Sequence, residues 1–177
     1  NIIDKNYLSQ QVQDLISSLN IDPQIAGNCI GLLIGGDTKN FHLSEEQVHC
    51  VVKQIKLASQ VLKADILVTT SRRTSPGVEK LVKEEFSNYP TCRVLIIANE
   101  RNIPSAVGGI LGLSQLVVVS PESISMISEA VASERYVLVF KSLGLDVRHK
   151  RFISHFSKNR YIYLIEPGDI SKTAEEI

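Results

Sequence analysis

The chain has no excess charge of either sign. Nineteen lysines and arginines balance nineteen aspartates and glutamates over 177 residues, which argues against a nucleic-acid binder working through bulk electrostatics. Long hydrophobic runs are missing too: none approaches the roughly 18 residues expected of a membrane-spanning helix. No signal-peptide pattern follows the first residue, which is Asn1 rather than Met. The expectation is a piece of a longer or processed protein, cytoplasmic, with peripheral membrane contact allowed and no transmembrane segment. Cysteine is sparse. Cys29, Cys50 and Cys92 are odd in number and widely spaced, which fits reduced structural thiols better than disulfides. His42, His49, His149 and His155 form no ligand motif with them, so no metal is expected. No Ser-His-Asp or Cys-His arrangement arises from spacing, and catalytic residues stay unknown. There are no repeats and no low-complexity tract.

What is present is alternation. Tyr7, Leu8, Val12, Leu15, Ile16 and Leu19 have helical spacing over residues 7–19, before Pro23. A strand over 29–34 ends at Gly35-Gly36. Ser44-Glu45-Glu46-Gln47 predicts a capping box opening a long helix, with Val48, Val51, Val52, Ile55 and Leu62 on its buried face. Strands over 65–70 and 93–98 enclose a loop at 71–77 and a helix over 78–86. Residues 99–112 form a Gly/Pro-bearing connection with one helical turn. Strands over 116–119, 136–140 and 161–165 follow, with a helix over 146–156. Six short apolar strands separated mostly by helices predict an α/β fold: a doubly wound, Rossmann-like, parallel six-stranded sheet with helices on both faces. Right-handed crossovers leave few orders, and 3-2-1-4-5-6 is the default. It sets strand one beside strand four, so the loops at 35–40 and 120–125 flank the crevice where such sheets bind ligands.

The segment from Gln115 to Ala130 is the most informative. A buried, β-branched strand runs into Ser120-Pro121, read as an N-cap followed by a first helical residue. Unpaired backbone N–H groups there, with the hydroxyls of Ser123 and Ser125, suit phosphate oxygens. Ser125 and Glu129 lie four residues apart on one face, and a carboxylate so placed can accept from two neighbouring hydroxyls, as on a ribose. The same spacing also fits an ordinary capped helix with a solvated acid. Gly35-Gly36 permits either close backbone approach to a ligand or a plain turn. Ser71-Arg72-Arg73-Thr74 follows a strand's carboxyl end; two arginines there can clamp phosphates or belong to a solvated loop. Arg148-His149-Lys150-Arg151 reads as a basic run on a helix, usually a solvated face.

Leu33-Ile34-Gly35-Gly36, Leu67 through Thr74, and Val118 through Ala130 together resemble the mitochondrial-fission (elongated-mitochondria) protein family, many of whose bacterial members are of uncertain activity. The resemblance covers about residues 25–140. Asn102-Ile103-Pro104-Ser105-Ala106 departs from the Asn-Pro-Tyr expected nearby. That family is in turn similar to the GT-B glycosyltransferases, which pair two Rossmann-like domains and hold a nucleotide-sugar donor in the carboxyl-terminal one. The resemblance implies that Glu129 binds ribose hydroxyls and that Ser123 and Ser125 bind the diphosphate. Arg72 or Arg73 would offset charge as the nucleoside diphosphate leaves. Gly35, Gly36, Ser71 and Met126 complete the implied substrate-binding set, with a nucleotide-diphosphate sugar as substrate and no cofactor. It further implies a lead-in helix over 1–24 from an absent N-terminal domain, a Rossmann-like domain over 25–177, and inactivity without that other domain. The alternatives are a non-catalytic adaptor that binds a protein partner, and a GT-B-fold sugar-nucleotide epimerase.

Overall fold

The computed structural model describes residues 3–25 and 27–177. Six parallel strands form one sheet: β1 (Cys29–Leu33), β2 (Asp65–Thr69), β3 (Cys92–Ile96), β4 (Leu116–Val119), β5 (Tyr136–Phe140) and β6 (Tyr163–Ile165). Their order is β3-β2-β1-β4-β5-β6, the doubly wound arrangement expected from the sequence. Every residue of β1 and β4 is buried, because helices cover the sheet on both sides; that is why these strands read as unbroken apolar runs rather than alternating ones. The register levels the carboxyl ends. Leu33 pairs with Thr69 on one side and with Val119 on the other. The loops after β1, β2 and β4 therefore leave the sheet together.

Helix α1 (Lys5–Leu19) is capped by Asp4, whose carboxylate accepts from the Tyr7 amide at 2.8 Å. α2 (Glu45–Leu62) packs with α3 (Pro76–Phe86), while α1 packs on α4 (Ala106–Leu113) and α4 on α5 (Ile124–Ala132). α6 (Val147–Lys158) packs on β6, and α7 (Ile170–Glu176) returns to α2. Right-handed crossovers put the helices after β1 and β2 on one face, and those after β4 and β5 on the other.

Three local expectations are corrected. Residues 106–113 form a two-turn helix, not one turn in a connection. Its glycines are contact points: a Cβ at Gly108, Gly109 or Gly112 would run into Gln11, Leu15 or Val12 of α1, so small residues let the two helices close on each other. Ser44 caps α2, accepting from the Gln47 amide at 3.1 Å, but the capping box does not close. The Gln47 side chain instead donates to the Lys141 carbonyl at 2.8 Å and accepts from the Ser142 hydroxyl at 2.8 Å. Finally, α5 starts at Ile124 after Ser123, not after Ser120. The three cysteines are free, and burial pushes the Cys29 thiol up to about 11 and the Cys92 thiol up to about 12. No helix among the described residues is long and apolar enough to cross a membrane.

Candidate functional site

The site grows from three strand ends. The Ile34 amide still donates to the Thr69 carbonyl at 3.0 Å, and the Ser120 amide to Leu33 at 3.2 Å. Beyond these bonds the ladder is exhausted, and side chains take over the backbone groups. The Gly35 N–H donates to the Ser120 hydroxyl oxygen at 2.6 Å, and the Gly36 N–H donates to Glu122 Oε1 at 2.6 Å. The Ser120 hydroxyl donates in turn to Glu122 Oε1 at 3.1 Å. From the other side, the Thr74 hydroxyl donates to the Gly35 carbonyl at 2.5 Å and accepts from the Ser71 amide at 2.9 Å. The Asp37 amide donates to the Arg73 carbonyl at 3.0 Å. Both glycines are sterically required. A Cβ at Gly35 would collide with the Glu122 carboxyl group, and one at Gly36 with the Arg73 backbone.

Glu122 is the unexpected member. It is 2% exposed, and its second oxygen, Oε2, is buried with no hydrogen-bond partner. Burial pushes its carboxyl group above the ordinary carboxylate range. Hydrogen bonds from its own amide, from the Gly36 amide and from Ser120 oppose that shift, as does the positive charge of Arg73. The Glu122 carbonyl lies 3.0 Å from His149 Nε2, and His149 Nδ1 lies 2.7 Å from Asp146 Oδ1. The first turn of α6 is thereby tied to the loop after β4. Asp146 sits below its ordinary range because it accepts from the His149 amide and from the His149 ring.

The residues singled out in the sequence fall into two groups. Gly35, Gly36, Ser71 and the backbone of Arg73 are knitted into the cluster around Ser120 and Glu122. The Arg72 and Arg73 side chains are exposed on its rim. Among the described residues neither forms an ion pair. The second group runs along α5. Ser123 is buried and makes no capping bond with its side chain. Ser125 is exposed, Met126 is buried and Glu129 is half-buried. Burial raises the Glu129 carboxyl above the ordinary range. Among the described residues, no three His, Cys, Asp or Glu side chains are placed to hold a metal.

Sequence reasoning missed Glu122, Ser120 as a partner of Gly35, Thr74 and His149. Ser120-Pro121 satisfies the rules for a helix start, and that reading places Glu122 in a solvated first turn. The available signal was an acid three residues beyond a fully buried strand, facing the double glycine in the loop after the neighbouring strand.

A family model described as Mitochondrial fission ELM1 matches residues 2–176. The chain belongs to this family. The Mitochondrial fission ELM1 match takes in α1 and α7 as well as the segment over 25–140 that carries the sequence resemblance. No curated protein matches. Among solved structures, this ELM1-family chain is similar to a variant of the wall teichoic acid polymerase TagF, at 13% sequence identity and a TM-score of 0.44. The similarity covers 98% of this chain and 38% of that one, so the chain spans well under half of the polymerase.

Proposed function

We propose that the carboxyl ends of β1, β2 and β4 hold a nucleotide-diphosphate sugar. In this reading the chain is the donor-binding half of a GT-B-type glycosyltransferase, inactive without a second domain. The observation that carries the reading is the convergence of three loops: Gly35-Gly36, Ser71 to Thr74 and Ser120 to Ser123 leave the sheet at one level and bond to one another. The side chains of Arg72 and Arg73 are exposed on the rim and form no ion pair among the described residues, and the positive charge of Arg73 reaches Glu122, just before α5. Diphosphate oxygens would meet the α5 amino end and the hydroxyls of Ser123 and Ser125. Arg72 and Arg73 would offset the charge that develops on the leaving diphosphate, and Glu129 would accept from the ribose hydroxyls. Calorimetric titration of the 177-residue chain with a panel of nucleoside diphosphates tests this. Saturable binding that Arg72→Ala or Arg73→Ala weakens supports it; no binding by any member of the panel defeats it.

One observation favours the adaptor reading. The Gly36 amide already has its acceptor in Glu122, so the glycine turn is satisfied without any ligand. An adaptor would keep the fold and its melting temperature in every nucleoside diphosphate, because a ligand raises that temperature only by binding the folded state.

A further inference from the structure

We infer that α6 and the carboxyl ends of β5 and β6 form a second ligand site, shaped for a small amphiphile: an organic phosphate with an alkyl or aromatic body. A cavity of about 660 Å³ lies there, within the size range of small-molecule sites. None of the residues assigned to the nucleotide sugar lines it, and the inference does not rest on that reading.

One wall is a single stripe of α6. Lys150, Ile153, Ser154, Ser157 and Lys158 line the cavity at positions i, i+3, i+4, i+7 and i+8, which share one side of a helix. The adjoining side of α6 carries Phe152 and Phe156, 4.2 Å apart between ring centres, onto the core. The helix is thus anchored by Ile153, its buried core residue at the floor of the stripe, together with the two partly buried rings, while Lys150, Ser154, Ser157 and Lys158 border the hollow. Leu145, Leu164, Pro121 and Pro167 supply apolar lining. The facing wall is held in place, since Gln47 bonds to both the Lys141 carbonyl and the Ser142 hydroxyl. That use of the Gln47 side chain explains why it does not complete the cap of α2.

The charges decide what the hollow suits. Of three lysines lining it, Lys141 is neutralised by Glu166 at 3.4 Å. Lys150 and Lys158 have no ion-pair partner among the described residues. Two uncompensated ammonium groups on the wall of a partly apolar cavity attract an anion and reward an apolar body attached to it. Inorganic phosphate satisfies only the first demand, and a neutral alcohol only the second.

The test is calorimetric titration of the whole chain with octyl phosphate kept below its micelle concentration, with octanol and inorganic phosphate as controls. We expect saturable one-to-one binding of octyl phosphate, at least tenfold tighter than either control. The Lys150→Ala/Lys158→Ala double variant should weaken it tenfold or more without lowering the melting temperature. Ser154→Trp, which fills the hollow and leaves both charges, should abolish it. A large excess of uridine or adenosine diphosphate should leave octyl phosphate bound. The inference is overturned if the wild-type chain shows no saturable binding. It is also overturned if both variants bind as well as wild type, or if nucleoside diphosphates displace the probe.

Discussion

Glu122 Oε1 lies 2.6 Å from the Gly36 nitrogen, across 86 residues of sequence. This contact closes the gap between β1 and β4 where a doubly wound sheet presents its ligand crevice. It places a carboxylate oxygen where the phosphate-cradle reading of the glycine turn would place a ligand oxygen. Donation from a backbone amide favours the ionised carboxylate and burial disfavours it, and here burial wins.

The two glycines should not respond alike to alanine. At Gly36 the added Cβ meets the Arg73 carbonyl and the Thr74 amide, which are backbone; at Gly35 it meets the ends of the Glu122 and Ser120 side chains. Moving backbone shifts the whole loop after β2. Gly36→Ala should therefore cost roughly 3 kcal/mol or more, and Gly35→Ala about 1–2 kcal/mol, on the scale of overpacked cores. Adding Glu122→Ala to Gly35→Ala should recover part of the loss as a non-additive term. Urea unfolding of wild type, Gly35→Ala, Gly36→Ala, Glu122→Ala and the Gly35→Ala/Glu122→Ala double variant measures this; equal losses at the two glycines would contradict it.

Glu122→Gln should reveal the buried carboxyl group through pH. The folded-state value is raised, so the native protein holds this proton more tightly than the unfolded chain does. The resulting stability is fully present below the unfolded value, near 4.3 for a free glutamate, and is lost as pH rises through the folded value. Glutamine has no proton to lose. Its oxygen can keep the Gly36 bond, with the amide group where Oε2 now has no partner. Melting curves between about pH 4 and pH 8 should show Glu122→Gln gaining on wild type as pH rises. The gain should be on the order of 1 kcal/mol, or about 2–4 °C for a chain of this size. A constant difference across that range would show that the carboxyl group is not perturbed.

The strand order was legible because six short apolar strands alternate with helices and right-handed crossovers leave few orders; β1 and β4 read as unbroken apolar runs because every one of their residues is buried. The departures share a cause: a tertiary partner overrode a local rule. Gly108, Gly109 and Gly112 read as breakers, yet they are the surface on which Gln11, Val12 and Leu15 of α1 rest. Ser120 reads as a cap, yet its hydroxyl bonds to Gly35 on another strand. Gln47 reads as half of a capping box, yet it bonds to residues 141 and 142 after β5. Glu122 was illegible for the same reason, since the Gly36 amide that its carboxyl group accepts from and the Arg73 charge near it lie 86 and 49 positions away in sequence.

Arg72→Ala and Arg73→Ala should each weaken nucleoside-diphosphate binding without unfolding the chain. Both side chains are exposed, so their loss removes charge rather than core packing, although Arg73 also lends positive potential to Glu122. Losing a charge-assisted phosphate contact should cost about 1.5–3 kcal/mol, with a larger effect at low salt because exposed charges are screened. Titrations at two ionic strengths check this. Unchanged affinity in both single variants and in the double variant would remove the clamp from the proposal.

Glu129 offers the sharpest test of the nucleotide-sugar reading. It lies in the second turn of α5, half-buried, one turn beyond exposed Ser125 on the same side of the helix. If it holds a ribose, its carboxylate accepts from two hydroxyls, an arrangement stronger than a neutral hydrogen bond. Glu129→Gln preserves size but replaces one acceptor with a donor and removes the charge. Affinity for nucleoside diphosphates should fall roughly ten- to a hundredfold, or about 1.5–3 kcal/mol. Affinity for inorganic pyrophosphate, which has no ribose, should change much less. The raised carboxyl value adds a pH signature. Below it the wild-type side chain is neutral and resembles glutamine, so the gap between the two proteins should narrow as pH falls through that value. A purely structural Glu129 predicts the opposite pattern, with binding unchanged and any effect confined to the melting temperature. Calorimetric titration of both proteins with both ligands decides the matter. Equal nucleotide affinity would take Glu129 out of the site and leave the adaptor reading the stronger of the two.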